Sequence, residues 1–294
     1  MGICSFLRST HLPIKHLFHD FKSYFTDFLY ISLCDCIPLE SMDSNGIQIN
    51  KFISSTGYCS RREADSLVLQ GRVEINGEMA LPTSRVTKAD RVIVDGSLMK
   101  HKKNVQHIYL AFNKPVGITS TTDQTDHTNI ISYINYPKRI FPIGRLDKDS
   151  SGLILLTNNG DIVNEILRSE NKHDKEYIVT VDKQIDEVFV QKMSKGVNIL
   201  GEWTKKCKVV ALGNKKFRII LQQGLNRQIR RMCEALGYHV VSLVRVRIMD
   251  ITLDKIPVGK WRLLSEVEIA KLEGKTNFTH ENEKKAIGRF DSKS

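Results

Sequence analysis

Several functional signatures are missing from this chain. Its six cysteines form no Cys-x-x-Cys pair and no Cys/His run with zinc-ligand spacing, so neither a zinc site nor a disulfide framework is expected, and the thiols read as reduced. The nine histidines are scattered, without a His-Glu-x-x-His cluster, and no glycine-rich phosphate loop is present. No apolar run reaches the ~18 to 20 residues that cross a bilayer. The nearest approach, "HLPIKHLFHDFKSYFTDFLYISLCDC" (residues 11–36), is broken by Lys15, Asp20, Lys22 and Asp27. Its Leu17, Phe18, Phe21, Phe25 and Phe28 recur at helical spacing, which suits a surface or docking helix. Ordered patterning starts only after Met42, so residues 1–46 are expected to form a leader outside the folded protein.

What is present is positive charge. Among 294 residues, 44 Lys and Arg outnumber 33 Asp and Glu, a net charge of +11, and the natural partner for such a chain is a polyanion, nucleic acid first. The length allows one large domain or two smaller ones, each with its own core. From Gln48 to about Gly96 the pattern is that of a small α+β module. Ser60 and Glu63 are spaced as a helix-capping box, Gly71 supplies a helix stop, and Asn76-Gly77 follows Val73 and Ile75 as a hairpin turn. Arg61 and Arg62 sit in the first helical turn, where positive charge opposes the helix dipole, and this favours a ligand contact for them. Residues 97–106 read as a linker.

The remainder is richer in strands than helices. "HIYLAFNKPVGITST" reads as a strand and then a turn that exposes Lys114; "GLILLTNNGDIVNEILR" as a buried strand, a turn and a short helix; "KEYIVTVD" and "KFRIILQ" as half-buried strands. In "GLNRQIRRMCEALGY", Ile229, Met232, Cys233 and Leu236 form a helical core stripe, with Arg227 and Arg231 opposite and Arg230 on its flank. "VSLVRVRIMDITL" places Arg245 and Arg247 two residues apart, hence on one strand face, as part of a basic surface. An α+β domain with a mainly antiparallel mixed sheet is expected over 107–274, followed by a polar tail from 275 to 294 that is expected to be disordered. Ser265 and Glu268 match a second capping box.

The stretches "INKFIS", "CSRREAD" and "GRVEINGE" resemble the S4-like RNA-binding domain. "GRLDKDSSGLILLTNNGD", "KEYIVTV" and "GLNRQIRRMCEALGY", in that order, resemble the RsuA family of ribosomal RNA pseudouridine synthases, and within it the type acting on large-subunit (23S) ribosomal RNA. The resemblance implies an enzyme without cofactor or metal that isomerises uridine in RNA. It implies Asp147 as nucleophile, Arg230 as the cation that keeps it ionised, Tyr177 packed under the base as a general base, and Arg145 reaching into RNA to hold the flipped nucleotide. Arg61, Arg62, Arg227, Arg231, Arg245 and Arg247 are expected to meet RNA. Asp149 and Ser150 read as loop-stabilising residues, and Lys148 as a solvated charge. A monomer located in the cytoplasm is expected, with ribosomal RNA and possibly transfer RNA as partner. A non-catalytic ribosome-assembly factor and a glycosidase using Asp147 with Asp149 are the competing readings.

Overall fold

The computed structural model describes residues 46–100, 106–167 and 173–274, so the expected leader and tail lie outside the described residues apart from Gly46. The chain divides into two compact units, one built from residues up to 53 and 60–99, the other from 54–59 and residues from 100 onward.

The first unit contains β1 (Ile47–Gln48), α1 (Ile49–Ser55), α2 (Arg61–Leu69), β2 (Val73–Ile75), β3 (Glu78–Met79), β4 (Arg85–Val86), β5 (Val92–Val94) and β6 (Ser97–Met99). The Ser60 side chain accepts from the Glu63 amide while Glu63 accepts from the Ser60 amide, so the expected capping box forms at α2. Gly71 adopts a left-handed φ of 67° after it. Asn76 and Gly77 both have positive φ, as a tight two-residue hairpin requires, and they pair β2 with β3. Asp95 and Gly96 repeat the device between β5 and β6. Residues 97–99, expected to open a linker, therefore continue the sheet; the Asp-Gly turn was the signal for it. Ile49, Phe52, Ile53, Ala64, Val68, Val73, Val92 and Val94 are buried.

The second unit runs β7 (Tyr109–Lys114), α3 (Ile130–Ile134), β8 (Phe141–Ile143), β9 (Ser151–Thr157), α4 (Gly160–Leu167), β10 (Lys175–Val181), α5 (Glu187–Lys195), β11 (Asn198–Ile199), β12 (Glu202–Trp203), β13 (Lys208–Gly213), β14 (Lys216–Leu221), α6 (Gln228–Ala235), β15 (Val240–Ile248), β16 (Ile251–Thr252), β17 (Trp261–Leu263) and α7 (Glu266–Leu272). A nine-stranded sheet has the order β13-β14-β10-β15-β9-β7-β17, with β16 beside β15 and β8 beside β9. Among the described residues only the β15–β9 pairing of this sheet is parallel, so the sheet is mixed and mainly antiparallel, as expected.

Side-chain alternation explains where the helices pack. On β7 and β9, Tyr109, Ala111, Leu153 and Leu155 face the cluster under α4 and α7, whereas Leu110, Phe112, Ile154 and Leu156 face the cluster with α3. Both faces are covered, which is why the run Leu153–Leu156 is apolar at every position. Toward the other end of the sheet, Tyr177, Val179, Val181, Phe217 and Ile219 pack against α5 and α6. The α6 stripe Ile229, Met232 and Cys233 is buried there, each such side chain contributing roughly 1.5–3 kcal/mol. Ser265 and Glu268 form the second capping box at α7.

The parallel junction is set by one glycine. Gly152 pairs with Arg245 at a φ of 105°, and a Cβ there would lie 2.3 Å from the Arg245 carbonyl oxygen and 2.7 Å from its amide nitrogen. Gly152→Ala is expected to destabilise the protein by about 2–4 kcal/mol, because a backbone atom rather than a flexible side chain must yield. Urea unfolding checks this; a midpoint within error of wild type would show that the strands can move apart freely.

Candidate active site

The "GRLDKDSSG" segment is the loop between β8 and β9. Leu146 plugs it into the core, its amide and carbonyl both bonded to the buried Ser120 hydroxyl. The Ser150 amide donates to the Asp147 carbonyl at 3.0 Å and closes a tight turn. The Asp147 side chain projects from that turn, 38% exposed, into a cavity of about 360 Å³ on the sheet face carrying Tyr177 and Leu243.

The turn is held from behind by a residue read as exposed. Lys114 is fully buried, and its ammonium donates to the carbonyls of Pro115 at 2.8 Å and Ile118 at 2.7 Å, with the Lys148 carbonyl at 3.5 Å. The Gly117 amide also donates to Lys148. "NKPVG" therefore curls around its own lysine and grips the back of the aspartate turn. Burial pushes the Lys114 ammonium down to about 8, partly opposed by Asp149 and Asp147.

From the other side the loop is held by α6. Arg227 adopts a left-handed φ of 50° at the helix start and places its guanidinium bidentate on Asp149, at 3.1 and 2.9 Å, with Nη1 3.8 Å from the Asp147 carboxylate. This pairing holds the Asp149 carboxyl below the usual range. One helical turn later, Arg230 donates to the Asp149 carbonyl at 2.8 Å, the Ser150 hydroxyl at 3.1 Å and the Val240 carbonyl at 3.3 Å. The expected Arg230–Asp147 pair is thus replaced here. Arg227, turned inward by its left-handed backbone, is the cation beside Asp147, and Arg230 ties down the residues that follow it. Among the described residues the Asp147 carboxylate accepts no hydrogen bond.

Tyr177 is buried on β10 and lines the cavity with its neighbour-but-one Lys175. Lys175 went unnoticed in the sequence, although its two-residue spacing from Tyr177 puts both on one face. Arg145 and Lys148 are exposed, and Arg145 lies at the cavity rim. Arg231 donates to Asn226 on the outer side of α6. Arg61 and Arg62 are exposed at the start of α2.

The expectation that Arg245 and Arg247 share a basic face fails. Tyr177 pairs with Arg245 and Glu176 with Arg247, so Val246 is an extra residue on β15, a bulge that interrupts the two-residue period. Arg247 lies on the opposite face, with Nε 2.8 Å from Glu176, which also faces Arg218. Arg245 is 4% exposed, lines the cavity, donates to the carbonyls of Leu153 at 2.7 Å and Arg145 at 3.3 Å, and lies 5.9 Å from the Tyr177 ring centre.

Among the described residues the pocket has one carboxylate, Asp147, together with Arg145, Lys175, Arg227, Arg230 and Arg245, a charge balance that suits an anionic polymer. Among the described residues no three His, Cys, Asp or Glu side chains converge as a metal site would need, and no helix is long and apolar enough to cross a membrane.

Comparison with known proteins agrees with this class. The family model for RNA pseudouridylate synthase matches residues 108–235, and that for the S4 domain matches 49–92. The dual-specificity RNA pseudouridine synthase RluF of Escherichia coli (strain K12) is 52% identical over 231 residues, covering 79% of this chain and 80% of the relative. Ribosomal large subunit pseudouridine synthase B of Bacillus subtilis (strain 168) is 32% identical over 234 residues, covering 76% and 95%. A crystal structure of a pseudouridylate synthase matches with a TM-score of 0.57 at 30% identity, covering 77% of this chain and 99% of that one. The chain belongs to the RNA pseudouridine synthase family, and is an RNA-modifying isomerase with an S4 domain.

The Lys114 cradle makes a pH prediction. The folded-state value near 8 lies below the ~10.4 of an unfolded lysine, so between these values the unfolded chain binds the extra proton and stability rises with pH. Wild type should gain up to ~1.4 kcal/mol per pH unit relative to Lys114→Met between about pH 8 and 10. Parallel urea titrations across that range check it; a constant difference would mean that the ammonium is not buried at cost.

Proposed function

We propose that this protein converts a uridine of large-subunit ribosomal RNA to pseudouridine, with Asp147 as nucleophile. The observation carrying this reading is the placement of Asp147 as the single carboxylate among the described cavity-lining residues, in a tight turn, facing arginines and a buried tyrosine. Asp149, the competing acid, is bound bidentately by Arg227 and is not among the lining residues, which speaks against a two-carboxylate glycosidase.

In the proposed reaction, RNA lies along the cationic rim and delivers one nucleotide flipped out of its stack, with Arg145 filling the place it leaves. The uracil rests on Tyr177. The N1–C1′ bond breaks with its electron pair going to the base, the base turns, C5 bonds to C1′, the C5 proton passes to a base, a role assigned to Tyr177, and N1 takes up a proton. Nothing is added or lost. Asp147 takes part as a carboxylate that bonds transiently to the ribose or the uracil ring and is released again, with its bonding pair, before the product leaves, and Arg227 supplies the facing positive charge. Arg230 keeps the turn in register through Asp149 and Ser150. The helix pair of the first unit, with Arg61 and Arg62, and the outer arginine Arg231 contact phosphates, fixing position without reading sequence. The S4-like domain, read from the sequence as 47–96, is taken to extend to 99 so that β6 is included, and the catalytic domain is taken as 107–274. The large-subunit assignment is supported by the name of the Bacillus subtilis relative. The dual specificity in the name of the Escherichia coli relative supports a second RNA, for which transfer RNA is the candidate. A monomer acting in the cytoplasm completes the reading.

Asp147→Asn should abolish isomerisation and leave RNA affinity within a few-fold. Carbodiimide primer-extension mapping of ribosomal and transfer RNA from cells with and without the protein tests reaction and target together: one stop should vanish and return with wild type but not with Asp147→Asn. Restoration by Asp147→Asn would remove Asp147 from the chemistry. Affinity should also fall steeply between about 50 and 200 mM salt as counterions are released; a flat response would exclude a phosphate-bound face.

A further inference from the structure

Arg245 is a cation in an unusual predicament. Its side chain is more than nine-tenths buried, yet among the described residues no carboxylate pairs with it, and its acceptors are two backbone carbonyls. Nη2 is enclosed and has no acceptor at all. An unpaired guanidinium in such a site is costly, and here two other cations aggravate it. Lys175 lines the same cavity, its ammonium held below the usual lysine range by burial and then by Arg245, while Lys114 lies behind and also feels Arg245. Apart from Asp147, the described residues lining the cavity bring it no negative charge. Tyr177, directly across the strand pair, fixes where that charge would arrive, because Arg245 sits beside the ring on which the base is read to rest.

We propose that the Arg245 guanidinium is a further catalytic residue, donating to a carbonyl oxygen of the target uracil and stabilising the negative charge that the base acquires as the N1–C1′ bond breaks. This rests on the isomerase reading of the cavity. As that bond breaks, its electron pair enters the uracil ring and spreads over N1 and the two carbonyl oxygens. When C5 attacks C1′ the pair returns to a carbon–carbon bond, the C5 proton leaves, N1 takes up a proton, and the composition of the RNA is unchanged. A fixed donor in a site shielded from water is worth most while the charge is present, so it acts on the rate more than on binding.

The test compares RNA carrying uridine with RNA carrying 5-fluorouridine at the target position, whose base is the better leaving group. Consumption of the target nucleoside is followed by nuclease digestion and chromatography. Arg245→Gln should lower kcat on uridine by about 10²–10³ with KM little changed, and the loss on 5-fluorouridine should be about tenfold smaller. The ratio of the two rates within one variant is independent of how much enzyme is folded, and Arg245→Lys, which keeps the charge, supplies the same ratio with an intermediate loss if the glutamine variant does not fold. Equal losses on both substrates would reduce Arg245 to a packing role. A raised KM with kcat intact, and a salt slope of binding smaller by about one, would make its acceptor a phosphate instead. Either outcome overturns the proposal while leaving the isomerase reading standing. Absence of turnover by wild type on both RNAs would overturn that reading first.

Discussion

The close approach of β9 and β15 at Gly152 is the constraint on which the rest of the site depends. Asp147 stands five residues before that contact on one strand's loop, and Arg245 is the contact residue on the other. Arg245 is in turn paired with Tyr177 on the far side of β15. Aspartate turn, arginine and tyrosine are therefore placed by consecutive rungs of one sheet. Backbone hydrogen bonds, which are short and directional, set their spacing, and side-chain packing only refines it. The one parallel pairing in the sheet falls at this point, where the chain returns after its long excursion through β10 to α6.

The aspartate turn itself is over-determined. Behind it, the Lys114 ammonium and the Gly117 amide both hold the Lys148 carbonyl; in front, Arg227 and Arg230 hold Asp149 and Ser150. The residues flanking Asp147 are tied, and among the described residues the Asp147 carboxylate is left without a hydrogen bond. That division suits the nucleophile proposed for Asp147, since an oxygen already accepting hydrogen bonds is a weaker one. It also accounts for two acids so close in sequence: Asp149 takes up the arginines' hydrogen bonds, and Asp147 receives their field.

Much of this was legible in the residues, for reasons that differ by element. Capping boxes at Ser60 and Ser265, the Asn76-Gly77 turn and the α6 stripe are local devices, and local physics decides them. The aspartate loop was legible only through family motifs, because its geometry comes from partners up to 100 residues away. What misled were positions where tertiary context reverses a local rule. Lysine after asparagine and before proline reads as a solvated turn, yet three carbonyls converge to solvate Lys114 inside the protein. Arg227 continues a helical pattern on paper, but a left-handed backbone turns it away from that face and toward the aspartates.

The Val246 bulge shifts the parity of a strand. Before it, Leu243 and Arg245 look into the cavity; after it, Ile248 rather than Arg247 completes the wall. Between two chemically identical arginines, one extra residue of length decides which becomes an unpaired cation beside a tyrosine and which becomes half of an outer ion pair with Glu176. Charge count and composition are blind to that choice. In this strand, information about function resides in residue count as much as in residue identity.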